Sequence, residues 1–122
     1  MQTANQSFPR QARLLSARDY SRVFDGNEKR ASNRYALLLA LPTTEHPSRL
    51  GLVIAKKHVR LAVDRNRIKR LAREVFRRRQ HHQPYDVVLL ARKGISDLSN
   101  AAVIQQLQQL WHKIDPEGQP ER

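Results

Sequence analysis

Cysteine is absent from the 122-residue chain, which excludes disulfides, thiolate metal sites and cysteine nucleophiles and is compatible with a reducing cytosol. Long apolar runs are missing too. None approaches the roughly 20 residues needed to cross a bilayer, and the opening Met1 to Ser7 is polar rather than a charged segment followed by an apolar one. A soluble, cytoplasmic protein with no membrane partner is the expectation. No glycine-rich phosphate loop, Ser/His/Asp set or paired-carboxylate arrangement stands out, so no catalytic side chain and no small-molecule cofactor is assigned. His81-His82 has no Cys, Asp or Glu cluster around it and reads as a solvated loop rather than a metal site. Acids are scarce as well: 11 Asp and Glu stand against 23 Lys and Arg, a formal charge of +12. On so small a chain that excess raises affinity for polyanions.

What is present suffices for one compact domain with a modest core. The domain is expected over residues 8–114, with 1–7 and 115–122 as flexible ends, because both ends are polar and rich in Pro, Gln and Glu. Ser16 is placed to cap a first helix from about Ala17 to Phe24, with Asp19 reaching back and Leu15 stapling onto Tyr20. Tyr35 to Leu41 and Leu50 to Lys56 are apolar runs of strand length separated by the turn segment Pro42 to Arg49, and are expected to pair antiparallel. From Asp64, a good N-cap, the period changes: Ile68, Leu71, Ala72, Val75 and Phe76 follow one face of a second helix. Tyr85 to Ala91 is nearly continuous in Val and Leu and reads as a central strand. Ser99 or Asn100 caps a last helix with Val103, Ile104, Leu107, Leu110, Trp111 and Ile114 along one side. The order α-β-β-α-β-α predicts a small α/β (α+β) two-layer sandwich.

Charge is concentrated in one segment. Lys56 to Arg79 holds eleven Lys and Arg against Asp64 and Glu74, which is +9 of the total. On a helix, Arg65, Arg67, Lys69, Arg70, Arg73 and Arg77 cover the side opposite the apolar stripe. Like charges at i, i+4, such as Arg65 with Lys69, destabilise a free helix by a few tenths of a kcal/mol each. An anionic partner relieves that repulsion, and guanidinium groups suit phosphates held in fixed positions because each can donate two parallel hydrogen bonds.

Gly51-Leu-Val-Ile-Ala-Lys-Lys57, a spacer, and then Arg65-Asn66-Arg67-Ile68-Lys69-Arg70-Leu71 with Arg73-Glu74 resembles the signature of the bacterial ribonuclease P protein family. The likeness extends through Phe8-Pro9-Arg10, Arg13-Leu14-Leu15, Val23-Phe24 and Ala91-Arg92-Lys93-Gly94 to the helix ending near Trp111. The resemblance implies a subunit that assists a catalytic RNA in removing the 5′ leader from precursor tRNA, with Mg2+ bound mainly by the RNA and none held tightly by the protein. It also implies a small mixed sheet with a left-handed β-α-β crossover. By motif, Arg65, Asn66, Arg67, Lys69, Arg70 and Arg73 would bind the catalytic RNA. Tyr20 and Phe24, with Lys56 and Lys57, would bind the leader in a cleft between the first helix and the sheet. Read without the resemblance, Tyr20 and Phe24 are more simply core. With it, they become platforms for unpaired bases, worth about 1 to 3 kcal/mol per stacked base without sequence preference. The first strand offers Tyr35 and then only Ala and Leu, which leaves little stacking from the sheet side. The alternative is a structural ribosomal protein binding ribosomal RNA; sequence-specific DNA binding fits less well, since only Asn66 stands out as a base reader.

Overall fold

The computed structural model describes residues 10–14 and 16–120; the expected Leu15 staple lies outside them. Helix α1, Ala17–Gly26, starts as its sequence dictates, with the Ser16 hydroxyl accepting from the Asp19 amide at 3.1 Å. It runs two residues beyond Phe24 because Asn27 caps its end, the Asn27 side chain donating to the Val23 and Phe24 carbonyls. Strands β1 (Lys29–Ser32), β2 (Ala36–Pro42) and β3 (Arg49–Val53) follow, then helix α2 (Ala62–Arg78), strands β4 (Arg79–Gln80) and β5 (Tyr85–Ala91), helix α3 (Asn100–Ile114) and strand β6 (Gln119–Pro120).

The main sheet has the order β1-β2-β5-β3. The expected antiparallel pairing of the two early strands is therefore wrong: β5 lies between them, antiparallel to β2 and parallel to β3. Five apolar residues in β5, all but Leu90 fully buried, bury more surface in the centre of a sheet than at its edge, and this outweighs the local closure of a hairpin. Strand β1 has no apolar run and is formed by pairing with β2, a tertiary effect invisible in Lys-Arg-Ala-Ser.

Side chains alternate between the two faces of the sheet. Ala36, Leu38, Ala40, Leu50, Val87, Leu89 and Ala91 pack with Ile68, Leu71, Val75 and Phe76 of α2 and Val103, Leu107, Leu110, Trp111 and Ile114 of α3. These are the expected two layers, with the predicted apolar stripes as the core. On the opposite face a smaller cluster joins Leu39 and Val88 to Val23 of α1 and to Leu14, so α1 adds a partial third layer. The free edge of β3 is occupied by the chain before α1: Leu14 N–H donates to the Leu50 carbonyl at 3.2 Å and Arg13 bridges the same strand, which blocks pairing with another molecule there.

Two expectations at helix and chain ends need correction. Helix α2 begins at Ala62, capped by Leu61 with no side-chain hydrogen bond, and Asp64 sits within the first turn, where its charge complements the helix dipole instead of capping it. The stretch from Asp115 is not a loose end at its start. Asp115 is 1% exposed, its carboxylate accepts from the His82 amide at 2.8 Å, and β6 pairs with β4. The buried Arg79 guanidinium donates to the Asp115 and Gly118 carbonyls.

Candidate nucleic-acid interface

The cationic side of α2 arises because Ile68, Leu71, Ala72, Val75 and Phe76 turn inward and leave the basic residues on the remaining arc. Asn66 and Arg70 are exposed, and Arg65, Arg67, Lys69 and Arg73 are half-buried. Glu74 is spent on its own helix, accepting from Arg77 at 2.6 Å and from Arg78. Its carboxyl is held below the usual range, first by the Arg77 hydrogen bond. Arg73 is lowered by burial and by the charge of Arg13, so this face reaches the segment on the β3 edge. Cations thus stand beside one another on this side of the molecule, which raises its attraction for polyanions.

The second surface lies on the sheet face that α1 only partly covers. Tyr20 sits over Gly51, where an added Cβ would come within 2.7 Å of its ring, and its hydroxyl accepts from the Leu52 amide at 3.1 Å. Gly26 at the other end of α1 lies near Leu41. The helix thus crosses from β3 to β2 and leaves the row Leu37, Leu90 and Val53, which are register partners, at the open end. There a pocket of about 320 Å³ has these three residues as an apolar floor and Lys57, His58 and Arg92 among its lining.

Of the residues expected to grip a leader, Lys57 lines this cleft, Lys56 is exposed beside it, and Phe24 is 41% exposed one turn along α1 from Tyr20. Tyr20 is both: half-buried in the small core and fixed by its hydroxyl. Arg92 carries no signal in the sequence beyond lying in the Ala91-Arg92-Lys93-Gly94 match. Its guanidinium donates to the Asn33 carbonyl at 2.7 Å, and Gly94, at φ +99°, supplies the left-handed turn after it. Tyr35 packs against the larger core and under Arg34, so the cleft floor is aliphatic.

Sequence reading also misses what holds α1 down. Arg49 makes a two-pronged pair with Asp86, Nε to Oδ1 and Nη2 to Oδ2 both at 2.9 Å, and lies 3.6 Å from Asp19 of α1. Asp86 is 2% exposed, and its hydrogen bond raises the Arg49 pKa. The two are register partners in β3 and β5, a pairing that exists only once the sheet order is known.

A one-sided cationic helix beside an apolar cleft rimmed by cations, on a small α/β domain, defines an RNA-binding protein. The Ribonuclease P family profile matches residues 8–115, and the chain belongs to the ribonuclease P protein family. It is 43% identical over 113 residues to the ribonuclease P protein component of Chromohalobacter salexigens, covering 92% of this chain and 88% of the relative. It is 46% identical over 112 residues to that of Pseudomonas aeruginosa, covering 90% and 82%. Among solved structures, the RNase P protein of Staphylococcus aureus superposes with a TM-score of 0.76 at 26% identity, covering 85% of this chain and 97% of that one. The Thermotoga maritima protein gives 0.68 at 31% identity, covering 80% and 92%.

Proposed function

We propose that the chain, as the protein subunit of the endoribonuclease ribonuclease P, docks on the catalytic RNA through α2 and grips the 5′ leader of precursor tRNA in the cleft beside α1. The observation that carries this reading is the arrangement of the two surfaces. Helix α2 packs on one face of the sheet and the Leu37, Val53, Leu90 cleft with its Lys57, His58 and Arg92 lining lies on the other, so a protein seated on one RNA through α2 presents the cleft to another. Exposed Phe24 and half-buried Tyr20 offer stacking surfaces indifferent to base identity, and the cations hold the leader backbone. Membership of the family weighs against a structural ribosomal role.

Hydrolysis itself falls to the RNA and its Mg2+ ions. Among the described residues no group of three His, Cys, Asp or Glu is placed to hold a metal. The protein's contribution is positioning and charge: it lowers phosphate repulsion between the two RNAs and fixes the strand to be cut. At low magnesium, where the RNA alone is slow, adding the protein to the catalytic RNA should restore leader removal from precursor tRNA. Cleavage unchanged by the protein would refute the reading.

A further inference from the structure

Two of the three residues in Arg65-Asn66-Arg67 have guanidinium groups already engaged within the fold. Arg65 Nη1 donates to the carbonyls of Val59 at 3.0 Å and Arg60 at 2.8 Å. Arg67 Nη1 donates to Asn100 Oδ1 at 2.7 Å, and its Nη2 to the carbonyls of Ser96 at 2.8 Å and Leu98 at 3.2 Å. In contrast, among the described residues Asn66, Lys69 and Arg70 have no side-chain hydrogen bond or ion pair.

The acceptors lie where they matter. Val59 and Arg60 end the tight turn from Ala55, closed by the His58 and Val59 amides on the Ala55 carbonyl, and that turn carries Lys57 and His58 at the cleft. Ser96 and Leu98 belong to the turn that follows Arg92, closed by the Ile95 amide on the Arg92 carbonyl. Each arginine therefore ties one basic rim of the cleft to the helix. The Arg67 guanidinium spreads its contacts over two nitrogens held in a fixed planar fork, Nη1 to Asn100 and Nη2 to the two carbonyls, a geometry that the single-point ammonium of lysine does not reproduce.

We propose that Arg65 and Arg67 are positioning residues that lock the two rims of the leader cleft to the docking helix, while Asn66, Lys69 and Arg70 meet the catalytic RNA. This rests on the docking and leader-binding reading above. The test uses the reconstituted holoenzyme with Arg65→Ala, Arg67→Ala, Lys69→Ala and Arg70→Ala. Two quantities are measured: the salt dependence of affinity for the catalytic RNA, and the preference for precursor over mature tRNA.

Lys69→Ala and Arg70→Ala should each take about 0.7 to 0.9 from the slope of log K against log salt and keep the preference. Arg65→Ala and Arg67→Ala should keep the slope and lose about tenfold in preference, the scale of one charged hydrogen bond; Arg67→Lys should not restore it. Asn100→Ala, which removes one uncharged acceptor, should reproduce part of the Arg67→Ala defect and add nothing to it in the double variant. It carries the test if Arg67→Ala does not fold. A slope lowered by Arg67→Ala as by Arg70→Ala, or independent addition of Asn100→Ala, overturns the proposal. If none of the four variants alters affinity for the catalytic RNA, the docking surface is what fails, and the rim assignment stands or falls on the Arg67 and Asn100 double-mutant cycle.

Discussion

His81 reads in the sequence as half of a solvated pair, and only its neighbour behaves that way, with His82 exposed and 2.8 Å from Glu117. The His81 ring lies between Phe76 and Trp111, with centroids at 5.0 and 4.9 Å. Both of its nitrogens are buried. Burial lowers its pKa, with the Arg79 charge acting the same way and Asp115 and a hydrogen bond with the Phe76 backbone opposing. The unfolded chain, at an ordinary histidine pKa of about 6.5, thus binds a proton that the folded chain resists. The associated stability is present above that value and is lost as pH falls below it. Denaturant unfolding at pH 7.5 and 5.5 should show the loss, with a slope of at most about 1.4 kcal/mol per pH unit for one proton. His81→Phe, which keeps the stack, should remove this part of it. The burial has no local signal in His-His, because it is made by α3 arriving from thirty residues downstream. Tyr20 likewise divides between core and surface only when Gly51 is seen beneath it.

At the scale of elements, the three helices and the central strand are legible because periodicity and capping are local. Ser16 and Ser99 both accept the amide three residues on, as their positions predict. Strand pairing is not local. The expected β2 and β3 hairpin fails because β5 buries more when it takes the centre, and with it goes any chance of foreseeing the Arg49 and Asp86 pair. That pair holds α1, through Asp19, over the sheet end away from the cleft. Arg49→Ala leaves the buried Asp86 with only His46 at 3.7 Å, and should cost about 3 kcal/mol of stability. Thermal unfolding of the variant measures it directly, and a shift within error of zero would show that the pair contributes nothing.

For the whole molecule, the two surfaces proposed to meet RNA lie on either side of one sheet and should fail separately. Tyr20→Ala with Phe24→Ala should weaken precursor binding relative to mature tRNA while assembly with the catalytic RNA is kept; Lys69→Ala with Arg70→Ala should do the reverse. Filter binding with each RNA distinguishes them, and one common defect from both pairs would contradict the two-surface arrangement. The sequence by itself determined the sign of the partner, the cationic helix and the family, since charge density, helical period and a contiguous motif survive without tertiary information. Only the tertiary structure decided which cations of the motif have partners within the fold. Arg65, Arg67 and Arg70 are alike in a linear motif, yet two of them bend back to carbonyls at residues 59, 60, 96 and 98. Those acceptors are placed by the turn before α2 and the turn before α3, where the chain brings their carbonyls within reach of the two guanidinium groups.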